Sequence, residues 1–237
     1  MSWLIVNGDS HTAGAEAVNR CAFAEDDSQY AHLKRKPHPD NLEVSWGHQL
    51  SKLLNYQFHC LAESASSNTR ILRTTRQFIK DSVPTIASSQ LLIIIGWSTW
   101  EREEWLINDE YYQVNASGID DVPEEWRERY TNYILDVDWY KVTKEMHEKI
   151  WDLHCEHEDQ NIKHEFFNGN NTFESIDDKK DWGTSYYTPY YHDGTFHDML
   201  EQNGHTTIGG GWHFGPKAHE EWAEFLQQYL LDNNIVQ

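Results

Sequence analysis

The sequence predicts an α/β protein, a three-layer α/β/α sandwich on a parallel sheet of about five strands. Two observations carry that expectation. Short apolar runs of strand length recur at residues 3–6, 56–61, 91–95 and about 164–167, each closed by Gly, Asn or Ser. Between them lie stretches whose apolar residues repeat with the helical period, and strands alternating with helices form parallel sheets covered on both faces.

Taken in order, the first run breaks from β-branched residues into Asn7-Gly8-Asp9-Ser10. A plain turn has this composition, and so does a serine displayed at the carboxyl end of a strand, where open α/β sheets bind ligands and the chain turns toward a following helix. Val44, Leu50, Leu53 and Leu54 mark the first helical pattern. After the second strand, Ser66 and Ser67 are cap candidates for a helix carrying Ile71, Leu72, Phe78 and Ile79. The third run, "LLIII", is the most apolar, and the acidic Glu101-Arg102-Glu103-Glu104 beyond it reads as a solvated helix surface. Residues 106–140 read as a loop and then a helical pattern at Trp126, Tyr130, Ile134 and Val137; Met146, Ile150 and Leu153 mark the next helix. Residues 168–211 have little periodicity, and loops of such length in a compact domain are usually functional. The last helix carries Trp222, Phe225, Leu226, Tyr229 and Leu230 at i, i+3, i+4, i+7 and i+8, with Pro216 suited to its first turn. One core suffices for 237 residues, so residues 1–237 are expected to form a single domain with a divergent insertion or lid at about 106–198.

Composition excludes some partners. With 39 acidic and 19 basic side chains the net charge is -20, which argues against binding a nucleic-acid backbone or an anionic membrane surface. No basic, apolar leader opens the chain and no run is long enough to span a bilayer, so a soluble protein, cytoplasmic or virion-associated, is expected. Cys21, Cys60 and Cys155 are unclustered and read as buried free thiols of a reducing compartment. The eleven tryptophans suit sugar rings as well as core packing. The oligomeric state stays open.

A serine nucleophile needs a base. The best placed one is His213 in "GGGWHFGPKAHEEWAEFL", on the loop that launches the last helix. Here "NGDSHTAG" resembles the first block of the SGNH (GDSL-type) hydrolases. The run His213-Phe214-Gly215-Pro216-x-x-His219 resembles their last block, commonly His-Pro-x-x-x-Gly-His. "LAESASSNTRI" and "IIIGWSTWEREEW" fall where their central blocks follow the second and third strands, so the resemblance runs from about residue 3 to 230 with 106–198 divergent. It implies flavodoxin-like winding and hydrolysis of an ester, with an O-acyl group on a carbohydrate or similar small molecule as substrate and neither cofactor nor metal. Ser10 would attack the acyl carbon, His213 within hydrogen-bond reach would take its proton, and the N–H groups of Ser10 and Ala65 would hold the oxyanion.

The departures are specific. Ala65 replaces a glycine, and its N–H survives that change where φ is negative. Gly96-Trp97-Ser98-Thr99 stands for Gly-x-Asn-Asp, so the oxyanion asparagine is gone, leaving Ser98 or Asn68 to donate instead. Gly210 occupies the usual place of the aspartate before the histidine. Asp181, Asp193 or Asp198 is expected to orient His213, or the site runs as a Ser-His dyad.

His11, Trp97, Trp100 and Tyr190 are candidates for the substrate-binding wall, with core packing an equal alternative for the tryptophans. His219 is expected to pack or cap. His147, His154 and His157 form no recognised ligand set and read as a solvated polar face. A second reading keeps the fold without the chemistry: a non-catalytic binding or structural protein, for instance a subunit of a virus particle. The two missing polar partners favour it, and the retention of both Ser10 and His213 opposes it.

Overall fold

In the computed structural model, which describes residues 2–22, 36–82, 85–115, 119 and 122–236, the apolar runs become β1 (Trp3–Asn7), β2 (Gln57–Cys60), β3 (Leu91–Trp97) and, after an antiparallel hairpin of β4 (Glu103–Ile107) and β5 (Glu110–Val114), β6 (Lys163–Asn168). The sheet has four strands in the order β2-β1-β3-β6, all parallel, with Val6 in register with Cys60 on one side and Ile94 on the other. β3 is central and every one of its residues is buried, as an unbroken apolar run in a parallel sheet requires.

Where a fifth strand was expected, a single parallel bridge joins Phe166 to Tyr186. The Phe166 N–H donates to the Ser185 carbonyl and the Tyr187 N–H to the Phe166 carbonyl. Gly183 (φ 58°) and Thr188 (φ 43°) turn the chain on either side, which keeps this segment from lengthening.

The helices are α1 (Pro39–Glu43), α2 (Trp46–Leu54), α3 (Asn68–Ser82), α4 (Arg127–Leu135), α5 (Trp139–Asp159), α6 (Phe196–Gln202) and α7 (Pro216–Asp232). Side chains alternate across each strand. Ile5, Ile93, Ile95 and Phe166 therefore pack against α3 and α5, while Leu4, Val6, Leu92, Ile94 and Phe167 pack against α2 and α7. Trp222, Leu226 and Leu230 are fully buried on α7, each worth roughly 1.5–3 kcal/mol by area removed from water. The two faces complete the three layers.

Several local expectations are corrected. No helix directly follows Ser10. Residues 10–20 are turns and bends, with Ala13 N–H on the Asp9 carbonyl and Ala15 N–H on the Ser10 carbonyl. Residues 101–104 are not a solvated helix surface either. Glu103 and Glu104 open β4, and Asn108 and Asp109, both at positive φ (52° and 66°), make the two-residue turn into β5. Glu104 is buried to 1 % exposure against Arg73, with both carboxylate oxygens accepting at 2.8 Å. The hairpin and α4 share a satellite core of Trp105, Ile107, Tyr112, Val114, Val122 and Tyr130. Parts of the expected loop, residues 116–118 and 120–121, lie outside the described residues.

The histidine face of α5 is likewise not solvated. His147, His154 and His157 are buried: Phe173 and Trp182 cover His147, Trp151 and Trp182 cover His154, and His164 and Phe166 cover His157. Cys21, Cys60 and Cys155 form no disulfide and are partly exposed rather than buried. Among the described residues no helix is long and apolar enough to cross a membrane.

Candidate active site

The end of β1 is anchored before it turns. Asn7 is buried; its Nδ2 donates to the Ile71 carbonyl and to the hydroxyls of Thr74 and Thr75, and its Oδ1 accepts from Gly8 N–H. At Gly8 a Cβ would lie 2.2 Å from Thr12 Oγ1 and 2.7 Å from the Gly96 carbonyl, so only glycine lets the chain cross this close to β3. The turn that follows sets Asp9, Ser10 and His11 at the carboxyl end of the sheet, all buried.

Asp9 ties this turn to the one after β3. Its Oδ2 accepts from Ser98 Oγ at 2.9 Å and Arg102 Nη1 at 3.1 Å, and its Oδ1 accepts from His11 N–H. Burial alone would raise the Asp9 carboxyl; the charges of His11 and Arg102 and the Ser98 hydrogen bond outweigh it and hold the group below the ordinary carboxylate range. Burial pushes His11 down to about 4, against the pull of Asp9, so its ring is neutral at pH 7. That ring packs on Phe196 and His197, with its Nδ1 unpartnered.

His213 sits on the loop before α7, its centroid 5.4 Å from the His11 ring. Its Nδ1 lies 2.6 Å from Glu16 Oε2. A carboxylate there fixes the hydrogen on Nδ1 and leaves the lone pair on Nε2, the tautomer a general base needs. Ser10 Oγ makes no hydrogen bond to His213 or to any other described group.

None of the three aspartates expected near His213 bonds it, and Asp181 and Asp198 are engaged elsewhere. Asp181 accepts from Gly183 N–H and lines a cleft with His154; Asp193 is in a short turn, His192–Gly194; Asp198 bonds Thr195 and His192. Glu16 was missed because the family pattern directs the search to residues just before the histidine. The available signal was a carboxylate six residues beyond Ser10, within the same turn.

Of the oxyanion candidates, the Ser10 and Ala65 N–H groups make no hydrogen bond to any described residue. Ala65 has φ 63°, so the expected negative φ is not met; the alanine takes the left-handed conformation at a cost of roughly 1 kcal/mol and keeps its N–H there. Asn68 Nδ2 donates to the carbonyls of Ser98 and Thr99, its Oδ1 accepts from Ser98 N–H, and the Ser98 hydroxyl is given to Asp9. These two side chains brace the loops after β1, β2 and β3 against one another. Arg102, which sequence reasoning passed over, joins them through Ser98 Oγ at 2.9 Å.

His219 is buried on α7 and accepts the Trp46 N–H at Nδ1; burial drives it down to about 3. Trp97 packs edge-on against Phe166. Trp100 stacks on Phe173 at 2 % exposure, so both tryptophans are core. Tyr190 is a hydrogen-bond hub between Lys180 N–H, Trp182 Nε1 and His147 on the α5 side. The aromatic exposed beside His213 is Trp212, at 74 %.

No protein-family model and no curated protein sequence matches the chain. Among solved structures it is similar to the acetyl xylan esterase Est2A of the rumen bacterium Butyrivibrio proteoclasticus, at 15 % identity and a TM-score of 0.46, over 98 % of this chain but only 64 % of that one. It is similar to the acetyl xylan esterase AlAXEase at 9 % identity and 0.45, over 95 % of this chain and 98 % of the other. A protein assigned to the G-D-S-L lipolytic family from Desulfitobacterium hafniense DCB-2 aligns at 12 % identity and 0.38, over 97 % and 100 %.

Proposed function

We propose that this site hydrolyses an ester, with Ser10 as nucleophile, His213 as general base and Glu16 as the acid that orients it. The observation carrying the reading is the 2.6 Å contact between Glu16 and His213 Nδ1, which supplies the partner the sequence lacked in its usual place. Ser10 Oγ forms a bond to the acyl carbon as its proton passes to His213 Nε2, and Glu16 stabilises the resulting imidazolium. The carbonyl oxygen becomes an oxyanion facing the N–H groups of Ser10 and Ala65. Collapse breaks the ester bond, and the departing alkoxide takes the proton from Nε2. Water, deprotonated by His213, then releases the acid and restores Ser10. An O-acyl group on a carbohydrate fits the exposed Trp212, whose flat ring suits a sugar face. Residues 106–198 are not an insertion as a whole, since they contain α5 and β6 of the central sandwich; no step of the proposed reaction uses a cofactor.

A non-catalytic binding or structural role is the second reading, favoured by one observation: Ser98 and Asn68 spend their polar groups on the scaffold. Fluorophosphonate labelling separates the two. The intact chain is expected to be labelled at Ser10 and to cleave p-nitrophenyl acetate. Ser10→Ala should abolish both, and Glu16→Gln should lower kcat by about 10²-fold or more with KM little changed. An unlabelled, folded chain would establish the non-catalytic reading.

A further inference from the structure

Away from Ser10, α5 and β6 bring together histidines that the hydrolytic reading does not use. His154 and Glu158 are one helical turn apart on α5, and His164 is the second residue of β6. One donor atom from each lies within 4.8 Å of the other two. His154 Nδ1 stands 2.8 Å from His164 Nε2, and His164 Nδ1 is 3.0 Å from the Ile162 carbonyl. A carbonyl only accepts, so His164 Nδ1 carries the hydrogen and Nε2 presents a lone pair. An outer partner thus fixes the tautomer, as it does for metal-bound histidines.

His157 lies against the same ring, 4.8 Å between centroids, fully buried and with a partner for neither nitrogen. Buried polar atoms left without partners call for an explanation. Two of the three reach a surface cleft: His154 and Glu158, with Asp181, line an open space of about 360 Å³ bounded by residues 182–185, and His164 lies behind His154.

We propose that His154, Glu158 and His164 form a binding site for a divalent transition-metal ion of the zinc type, entered through this cleft. Two imidazole nitrogens and one carboxylate oxygen are a donor set that zinc accepts, whereas calcium and magnesium take oxygens. The ion replaces the hydrogen shared by the two rings. That hydrogen moves to His154 Nε2, so both imidazoles stay neutral and no proton is released. The ring nitrogens open from 2.8 Å to about 3.3 Å, the separation set by two bonds of roughly 2.0–2.1 Å at a tetrahedral centre. Glu158 is 60 % exposed with its Oε1 4.0 Å from His164 Nδ1, and rotates into the third position. Asp181 or water, on the open side, takes the fourth. The ion would tie α5 to the outer strand of the sheet.

The test uses the full chain, stripped by chelator and titrated with Zn²⁺ by calorimetry and with Co²⁺ by visible absorption. The expected result is one equivalent bound with Kd below about 10 μM, a tetrahedral Co²⁺ band, and a Tm that rises with added Zn²⁺. Glu158→Gln, at an exposed position that leaves the fold intact, should weaken binding about 10-fold or more. His154→Gln should abolish the Co²⁺ band; if that variant does not fold, Glu158→Gln alone decides. The other His-carboxylate grouping among the described residues is His197, Asp198 and Glu201. Replacing His197 and Glu201 by Gln should leave binding unchanged. Absence of saturable binding, absence of the Co²⁺ band, or loss of binding in the His197/Glu201 variant but not in Glu158→Gln would overturn the assignment.

Discussion

Ala65 concentrates backbone strain in one angle. At φ 63° its Cβ crowds the chain, and the turn is held there by Ser66 N–H and Ser66 Oγ on the Glu63 carbonyl and by the Glu63–Arg70 ion pair at 2.7 Å. Glycine adopts that angle without strain, at the cost of a more flexible unfolded chain. Ala65→Gly is therefore expected to raise stability by about 0.5–1 kcal/mol in urea titration while keeping the backbone N–H. A loss of stability would show that the alanine methyl packs usefully. At this scale the sequence was legible in placement: it put Ser10 just beyond the carboxyl end of β1 and His213 on the loop before α7. It did not single out Glu16, because a carboxylate shortly after Ser10 is not by itself marked as the partner of a ring 197 positions away.

Strands and helices were more legible than single contacts. The four core strands, α3, α5 and α7 follow from apolar runs and period alone, since burial on one or two faces leaves that trace in composition. The β4–β5 hairpin left a weaker trace. In β4 Trp105 and Ile107 face the small core, while Glu103 and Glu104 make partly buried polar contacts, so the acidic run hid the alternation. The Asn108-Asp109 pair was its one clear signal. The hairpin is moored to α3 through Glu104 and Arg73, with the Arg73 guanidinium also 3.9 Å over the Tyr111 ring. Glu104→Gln should cost about 1–3 kcal/mol, with faster amide exchange across residues 103–114 than in β3. Equal protection in both would mean that the hairpin opens only with the whole sheet.

For the molecule as a whole, buried titratable groups set the pH range of stability. His11 at about 4 and His219 at about 3 are neutral in the fold because burial disfavours their charged form, while in the unfolded chain they titrate near 6.5. The unfolded state therefore binds more protons below pH 6.5. The stability they contribute is complete above that value and falls by about 1.4 kcal/mol per ring per pH unit until each folded value is reached. His157, well below its ordinary range, and His164 at about 4 add with the same sign in chelated protein. Cooperative acid unfolding between pH 6 and about 4 is expected, measured as Tm against pH. A flat Tm from pH 7 to 5 would contradict it. Glu165 acts oppositely: burial raises its carboxyl well above 4.5, so its contribution is present below the unfolded value and lost as pH rises. Glu165→Gln should accordingly raise Tm at pH 8 and leave it nearly unchanged at pH 4. None of this is legible in a sequence, where a neutral buried histidine and a solvated one are the same letter.

The strand order has a consequence in time. β1 gains both neighbours only through β2 and β3, and its partner Ile94 is 88 residues downstream of Val6. At ribosomal rates of about 5–20 residues per second, the strand bearing the Ser10 turn waits about 4–18 seconds after synthesis before its central partner exists. During that interval its apolar edge is exposed to other nascent chains. Slow translation between residues 60 and 90 would lengthen the exposure, whereas a chaperone that shelters the first strand until β3 emerges would raise the yield of folded protein.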